Sequence, residues 1–352
     1  MKPRLHILFE HGADGQPYGS AQIRLLRPFT HPALRGEFEV TAGLEYDGKA
    51  VEAVILDRLW RPDISLALAE RVTEAVRRAR AKLIYTLDDD FLDLPPSVAS
   101  WFTAQHRRVV EFFLRQADGV LVTTSGLQQR FAAYNRRIAI VPHALDERLL
   151  APQKRSRPDW CKSPRITIGY MGTFSHDDDL LMIVPALRAV SERQRGKIDI
   201  QLVGVVEHPQ TLEALRDLPV TVLPLTPDRV EYPRFMGWFT RLKWDVAIAP
   251  LMDSPFTRCK SDIKFLDYAA LGAAGIYSRL PAYESSVRHR ETGWLTENTP
   301  EAWQGALETL LTDKALRTNL ARKAQHYLYD QRVLAHSAAA WHAALRELFE
   351  NS

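Results

Sequence analysis

The chain has 352 residues, 46% hydrophobic and 25% charged, with a formal net charge of +3. That length suits two ordinary α/β domains, and the composition excludes a disordered or collagen-like chain. Two cysteines, Cys161 and Cys259, make neither a disulfide framework nor a zinc cluster, and the mildly basic balance permits a phosphorylated ligand without calling for nucleic acid.

In chain order, "LHILF" (5–9), "FEVTAG" (38–43), "VEAVIL" (51–56), "KLIYTL" (82–87), "GVLVTT" (119–124) and "IAIVP" (138–142) read as strands. Amphipathic stretches at 64–81 and 98–117 read as helices. Strands that are apolar throughout, alternating with helices, predict βαβ units and a parallel sheet covered on both faces. The start, "MKPRLHILFE", lacks the apolar core and cleavage site of a signal peptide, and no run approaches the roughly 20 apolar residues of a membrane span. A cytoplasmic setting with, at most, peripheral membrane contact is the expectation. The stretch 146–165, with three prolines and several charges, reads as a linker. The alternation then restarts with "ITIGYMG" (166–172), "IDIQLVG" (198–204), "VTVLPL" (220–225), "WDVAIAPL" (244–251) and "AAGIYS" (273–278), and the end of the chain reads as helical. Two doubly wound domains of similar size follow, 1–150 and 151–330, with the helix 331–352 expected to pack back on the first. In such sheets ligands bind beyond the carboxyl ends of the strands, at a cleft.

"GYMGTFSHDDDL" (169–180) is a strand, a glycine turn and a helix start. Gly172 permits a sharp turn, and Thr173, Ser175 and His176 stand where a phosphate meets free helix N–H groups. The plainer reading is a tight βα turn with Ser175 or Asp177 as the cap. "PLMDSPFTRCKSDIKFLDYAALGAAGIYS" (250–278) gathers Arg258, Lys260 and Lys264 around Ser261, the expected N-cap of a helix. Cations at a helix N-terminus oppose its dipole unless an anion is held there. A diphosphate resolves the conflict, and Asp267, one turn after Lys264, is placed to accept hydrogen bonds from sugar or ribose hydroxyls. A solvated basic loop with a local Lys264–Asp267 pair is the alternative.

"FTRCKSDIKFLDYAALG" (256–272), followed by "PAYESSV" (281–287) and "TGWLTENTPEAWQGALETLL" (292–311), resembles the donor-binding region of GT-B-fold glycosyltransferases. Those of glycosyltransferase family 4 and its relatives in bacterial surface-polysaccharide synthesis are the most similar. "GYMGTFSH", "IQLVG" (200–204), "QADGVLVTTSGLQQRF" (116–131) and "IAIVPHALD" (138–146) fit the same pattern, so the resemblance spans most of 80–330. It implies an α/β chain of GT-B type, two Rossmann-like domains facing a central cleft. It implies a hexosyltransferase moving sugar from a nucleotide-diphosphate-sugar donor to a glycan or lipid-linked glycan, with retention and without a metal cofactor. Lys264 would contact the diphosphate and Asp267 the ribose or sugar, with Gly172, Thr173, His176, Gly204, Arg258, Lys260 and Ser261 around the donor. The family often has a paired glutamate eight residues before the Asp267 position, where this chain has Cys259.

"YTLDDDF" (85–91) carries three aspartates after a strand, and Asp88 and Asp90 have the spacing of a metal-binding Asp-x-Asp pair. The implied GT-B chemistry assigns Asp88 and Asp89 to the acceptor side instead; a capped loop and a metal site are the alternatives. Mutual repulsion among three carboxylates predicts at least one raised pKa. In the implied fold the first loop, 10–29, lies in the cleft close to donor phosphate and acceptor, with Gly19 and Arg24 on the acceptor side and Gly12, Gly15 and Gly19 letting the chain move when substrate binds. It lacks the glycine spacing of a dinucleotide site, and an ordinary surface loop is the alternative. His106 and His143 are single histidines for which a structural role is the default. The basic helices 70–82 and 105–115 read as solvated faces, or as a dock for anionic lipid. A metal-dependent transferase and an inactive glycan- or nucleotide-binding subunit are the competing functions.

Overall fold

The computed structural model describes residues 2–95, 101–150, 165–172, 177–204, 209–226 and 229–350. Most of the expected linker, as well as Thr173, Ser175 and His176, lies outside the described residues. The chain divides into two units: Met1–Glu147 with Arg258–Ser261 and Gln331–Ser352, and Arg148–Thr257 with Asp262–Asp330. The boundary therefore falls near the expected residue 150, but a four-residue piece of the later sequence belongs to the first unit.

The first unit contains β1 (Arg4–Leu8), β2 (Glu39–Gly43), β3 (Ala53–Asp57), β4 (Lys82–Leu87), β5 (Gly119–Val122) and β6 (Ile138–Ile140). They form one parallel sheet in the order β2-β1-β3-β4-β5-β6. Every residue of β3 is buried. Ala53 and Ile55 pack on one face with Leu25, Phe29, Trp341, Leu345 and Leu348, and Val54 and Leu56 pack on the other with Val76, Val109, Phe113 and Phe131. Burial on both faces is why these runs read as continuously apolar rather than alternating. The helix Leu334–Glu350 belongs to this unit, and Lys82 Nζ donates to the carbonyls of Leu348 (3.3 Å) and Phe349 (2.6 Å) at its end. A cation there satisfies carbonyls that lack helical partners.

The second unit contains β7 (Ile166–Met171), β8 (Ile198–Val203), β9 (Val220–Leu223), β10 (Val246–Ala249), β11 (Ala274–Ser278) and β12 (Trp294–Thr296). The order is β12-β11-β10-β7-β8-β9, all parallel. The chain winds outward from β7 through β8 to β9, then returns to β10 on the other side of β7. That reversal is the point at which doubly wound sheets bind ligands. In the first sheet the corresponding reversal lies between β1 and β3.

Candidate active site

In the first unit, the residues just beyond β1, β3 and β4 form a buried charged network. Glu10, Arg24 and Asp57 are 6%, 5% and 0% exposed. The helical segment from Gly19 to Thr30 contains a π turn at Gln22–Leu26, and Arg24 sits in that turn. From there its guanidinium bonds the Asp57 carboxylate and donates to Thr86 Oγ1 at 2.9 Å. Asp57 Oδ2 accepts the Glu10 N–H at 3.1 Å. Arg58 Nη1 lies 3.0 Å from Glu10 Oε2 and donates to Ser20 Oγ at 2.8 Å, and its guanidinium stands over the Phe91 ring at 4.6 Å. Arg58 and Trp60 both hold positive φ, 49° and 62°. Non-glycine residues in that region cost about 1–3 kcal/mol each and persist where surroundings over-determine them, often at functional sites. Here Trp60 is 1% exposed, and its indole N–H donates to Leu44 O at 2.9 Å.

Each carboxylate after β4 has its own cation. Arg24 Nε and Arg58 Nε flank Asp88 at 3.6 and 3.4 Å. Lys260 Nζ lies 3.1 and 3.4 Å from the two oxygens of Asp89. Arg130 Nε donates to Asp90 Oδ2 at 2.6 Å. Burial pushes the Asp88 carboxyl up, but Arg24, Arg58, His143 and Lys260 more than offset it and hold the group well below the usual carboxylate range. Asp90 is raised, chiefly by burial. One of the three carboxyls is thus raised, as expected, but burial of Asp90 raises it and not repulsion from Asp88 or Asp89. Asp88 Oδ1, Arg24 Nε and Arg58 Nε are buried and hydrogen-bonded to nothing among the described residues, although they lie within ion-pair reach. Gly19 opens the helical segment with open space where a Cβ would stand, so it makes no close approach.

Among the described residues, the side chains with metal-ligand spacing are His31, Asp146 and Glu147, not the aspartates of β4. His31 Nε2 lies 2.9 Å from Glu147 Oε1, and Arg27 Nε donates to Asp146 Oδ2 at 2.6 Å. An arginine already seated on the group makes it an ion-pair cluster.

In the second unit, the loops after β7 and β10 meet at the sheet's reversal. The helix Ile263–Leu271 begins at Asp262, whose side chain makes no capping bond, and ends at Gly272 with φ of 80°. The expected cap, Ser261, bonds His143 Nδ1 instead at 3.0 Å, within the first unit. Lys264 and Asp267 are buried, 8% and 6% exposed. Lys264 Nζ stands 4.9 Å above the centre of the Tyr170 ring on β7, a cation–π contact. Burial pushes the Asp267 carboxyl up to about 7; Lys264 lowers it and Asp262 raises it. Tyr268 ties the two strands together, donating from its hydroxyl to Ile248 O of β10 at 2.9 Å and accepting the Met171 N–H of β7 at 3.2 Å. Gly172 and Gly204 also meet: Gly204 has φ of 69°, and a Cβ there would lie 2.8 Å from Gly172 O. The helix Asp177–Arg193 carries Asp177, Asp178 and Asp179 in its first turn. Asp179 Oδ1 accepts the Met252 N–H at 2.6 Å and Asp177 Oδ2 accepts from Thr211 at 3.0 Å, so this helix end carries carboxylates of its own.

The structure thus brings together Lys264 with Asp267, Gly172 with Gly204, and Arg24 with Asp88. It places Lys260 on Asp89. Glu10, Asp57 and Arg58 escape the sequence reading, although each is the first or second polar residue after an apolar run.

Residues 165–313 match the family described as glycosyl transferases group 1. The whole chain superposes on solved glycosyltransferase structures and has the GT-B fold. A glycosyltransferase from Rickettsia africae aligns over 100% of both chains with a TM-score of 0.63 at 12% identity. HepE of Anabaena, solved with UDP and glucose, aligns over 97% of this chain and 99% of its own with a TM-score of 0.66 at 14% identity. Sucrose-phosphate synthase of Thermosynechococcus elongatus aligns over 100% of both chains, also with a TM-score of 0.66 at 14% identity. No curated protein matches the sequence. Among the described residues, no helix is long and apolar enough to cross a membrane.

Proposed function

We propose that this glycosyltransferase moves a hexosyl group from a nucleotide-diphosphate sugar to a hydroxyl of a glycan or lipid-linked glycan, with retention and without a divalent metal. The observation that carries the reading is the buried Lys264–Asp267 pair at the start of the helix after β10, beside the reversal of the second sheet. A buried ammonium on the first turn of a helix is matched by a diphosphate, which both the charge and the helix N–H groups favour. The Asp267 carboxyl, one turn on, is placed for a ribose or sugar hydroxyl. HepE, similar in fold, is solved with UDP-glucose, which puts uridine donors first among those to try.

Asp88, ionised and flanked by Arg24 and Arg58, fits the acceptor. A hydroxyl there donates to Asp88 Oδ1 and accepts from a guanidinium Nε, using the buried groups that lack hydrogen bonds. Leaving-group stabilisation by Lys264 supplies the main electrostatic contribution to catalysis. Metal independence rests on the cations that Asp88, Asp89 and Asp90 already have; a divalent ion there must displace an arginine or a lysine. The acceptor class and a peripheral site on anionic membrane follow from the resemblance and the basic helices alone.

A thermal-shift panel of UDP-, GDP-, dTDP- and CMP-sugars, with and without EDTA, tests the reading. One nucleotide class should raise the melting temperature equally in both conditions, through linkage of binding to folding. Stabilisation that EDTA abolishes and manganese restores would return the aspartates of β4 to a metal-binding role.

A further inference from the structure

The segment Arg258–Ser261 lies between β10 and β11 of the second unit in sequence, yet packs as part of the first. Cys259 is 8% exposed and lies in the same core cluster as Leu127 and Phe131. Gly126 makes the seat: a Cβ there would stand 3.3 Å from both Arg258 O and Cys259 Cα. Thr124, which caps the helix Ser125–Phe131 by accepting the Leu127 N–H, also donates its hydroxyl to Cys259 O at 2.8 Å. Lys260 reaches both oxygens of Asp89, and Ser261 bonds His143. A packed thiol, a shared helix cap, an ion pair and a hydroxyl–imidazole bond fix three consecutive residues, Cys259, Lys260 and Ser261. Asp262 alone separates Ser261 from Ile263, where the helix bearing Lys264 and Asp267 begins.

We propose that Arg258–Ser261 is an anchor locked into the first unit, with Lys260 a positioning residue on Asp89 and not a ligand of the donor diphosphate. This rests on the reading above, in which Lys264 holds the donor and Asp88 and Asp89 face the acceptor. Donor affinity then resides in the second unit and survives loss of the anchor. Turnover does not, because an error of about an ångström between reacting groups costs about a hundredfold. Burial pushes the Cys259 thiol up to about 11, so a seated Cys259 resists alkylation.

The test uses the full chain in a Cys161→Ser background, where alkylation reports Cys259 alone. Lys260→Gln removes the ion pair, and Gly126→Val wedges the seat from the opposite side without touching donor or acceptor groups. In both, nucleotide-sugar Kd should stay within about twofold of the parent while kcat falls about tenfold or more and Cys259 alkylation speeds up about tenfold. Lys260→Arg should recover most of kcat. Donor binding weakened about tenfold by Lys260→Gln would make Lys260 a donor ligand, and unchanged kcat would remove its positioning role; either overturns the proposal. Lys264→Ala serves as the control: undiminished donor binding there would sink the functional reading and leave the Lys260 and Gly126 results to be judged alone. If Gly126→Val does not fold, Lys260→Gln and Lys260→Arg still decide.

Discussion

Lys264 stands over the Tyr170 ring of its own unit and acts by its charge on the Asp267 carboxyl, which titrates in an accessible range. An aspartic acid raised to about 7 in the folded protein against about 3.9 unfolded binds its proton more tightly when folded. Its contribution to stability is present below about pH 4, is lost as pH rises toward 7, and stays lost above. The parent should lose stability between pH 5 and 8, by an amount on the order of a few kcal/mol, that Asp267→Asn does not lose. Denaturant midpoints of both proteins across that range check this; parallel curves would mean Asp267 titrates normally. At this scale the sequence shows the groups but not their partners. "DDD" is plain in the chain, while the cation on Asp89 is 171 residues away. Arg24 is visible as one of two arginines at the end of a glycine-rich loop, and only the π turn reveals that it points into the sheet's end.

The strands are the most legible elements, because burial on both faces leaves central ones such as β3, β5 and β10 an unbroken apolar run. Only β12 escapes, three residues inside the polar stretch "TGWLTENT". Caps are less legible. Ser261 has the side chain of an N-cap, but its hydroxyl is drawn to His143, and the cap position falls one residue later, at Asp262. Glycines inside strands carry a meaning the sequence hides. A Cβ on Gly169 of β7 would lie 1.8 Å from the Trp244 ring, whose indole N–H donates to Gln201 at 2.9 Å. Gly169→Ala should therefore cost at least about 3 kcal/mol, the upper end for overpacking. Gly305→Ala, in a helix with open space around it, should stabilise by about 0.5–1 kcal/mol. Urea midpoints of the two variants separate these cases; a parental midpoint for Gly169→Ala would mean that Trp244 moves freely.

Across the whole molecule, the chain passes between the two units four times, at Glu147–Arg148, Thr257–Arg258, Ser261–Asp262 and Asp330–Gln331. The first and last passages are legible from the linker composition and the terminal amphipathic helix. The middle two are not, because "RCKS" looks like any basic loop until Cys259 is found in the first unit's core. That excursion is also why the cations of this stretch, alike in sequence, divide between the two units: Lys260 goes to Asp89, and Lys264 stays with Tyr170 and Asp267. The central claim is that the nucleotide-sugar is held by the second unit through Lys264 while Asp88 of the first serves the transfer. Equilibrium titration of the stabilising nucleotide-sugar into Lys264→Ala and Asp88→Asn tests it most directly. Lys264→Ala should bind at least about tenfold more weakly than the parent, and Asp88→Asn should bind like the parent while turnover falls. Parental affinity in Lys264→Ala would contradict the account.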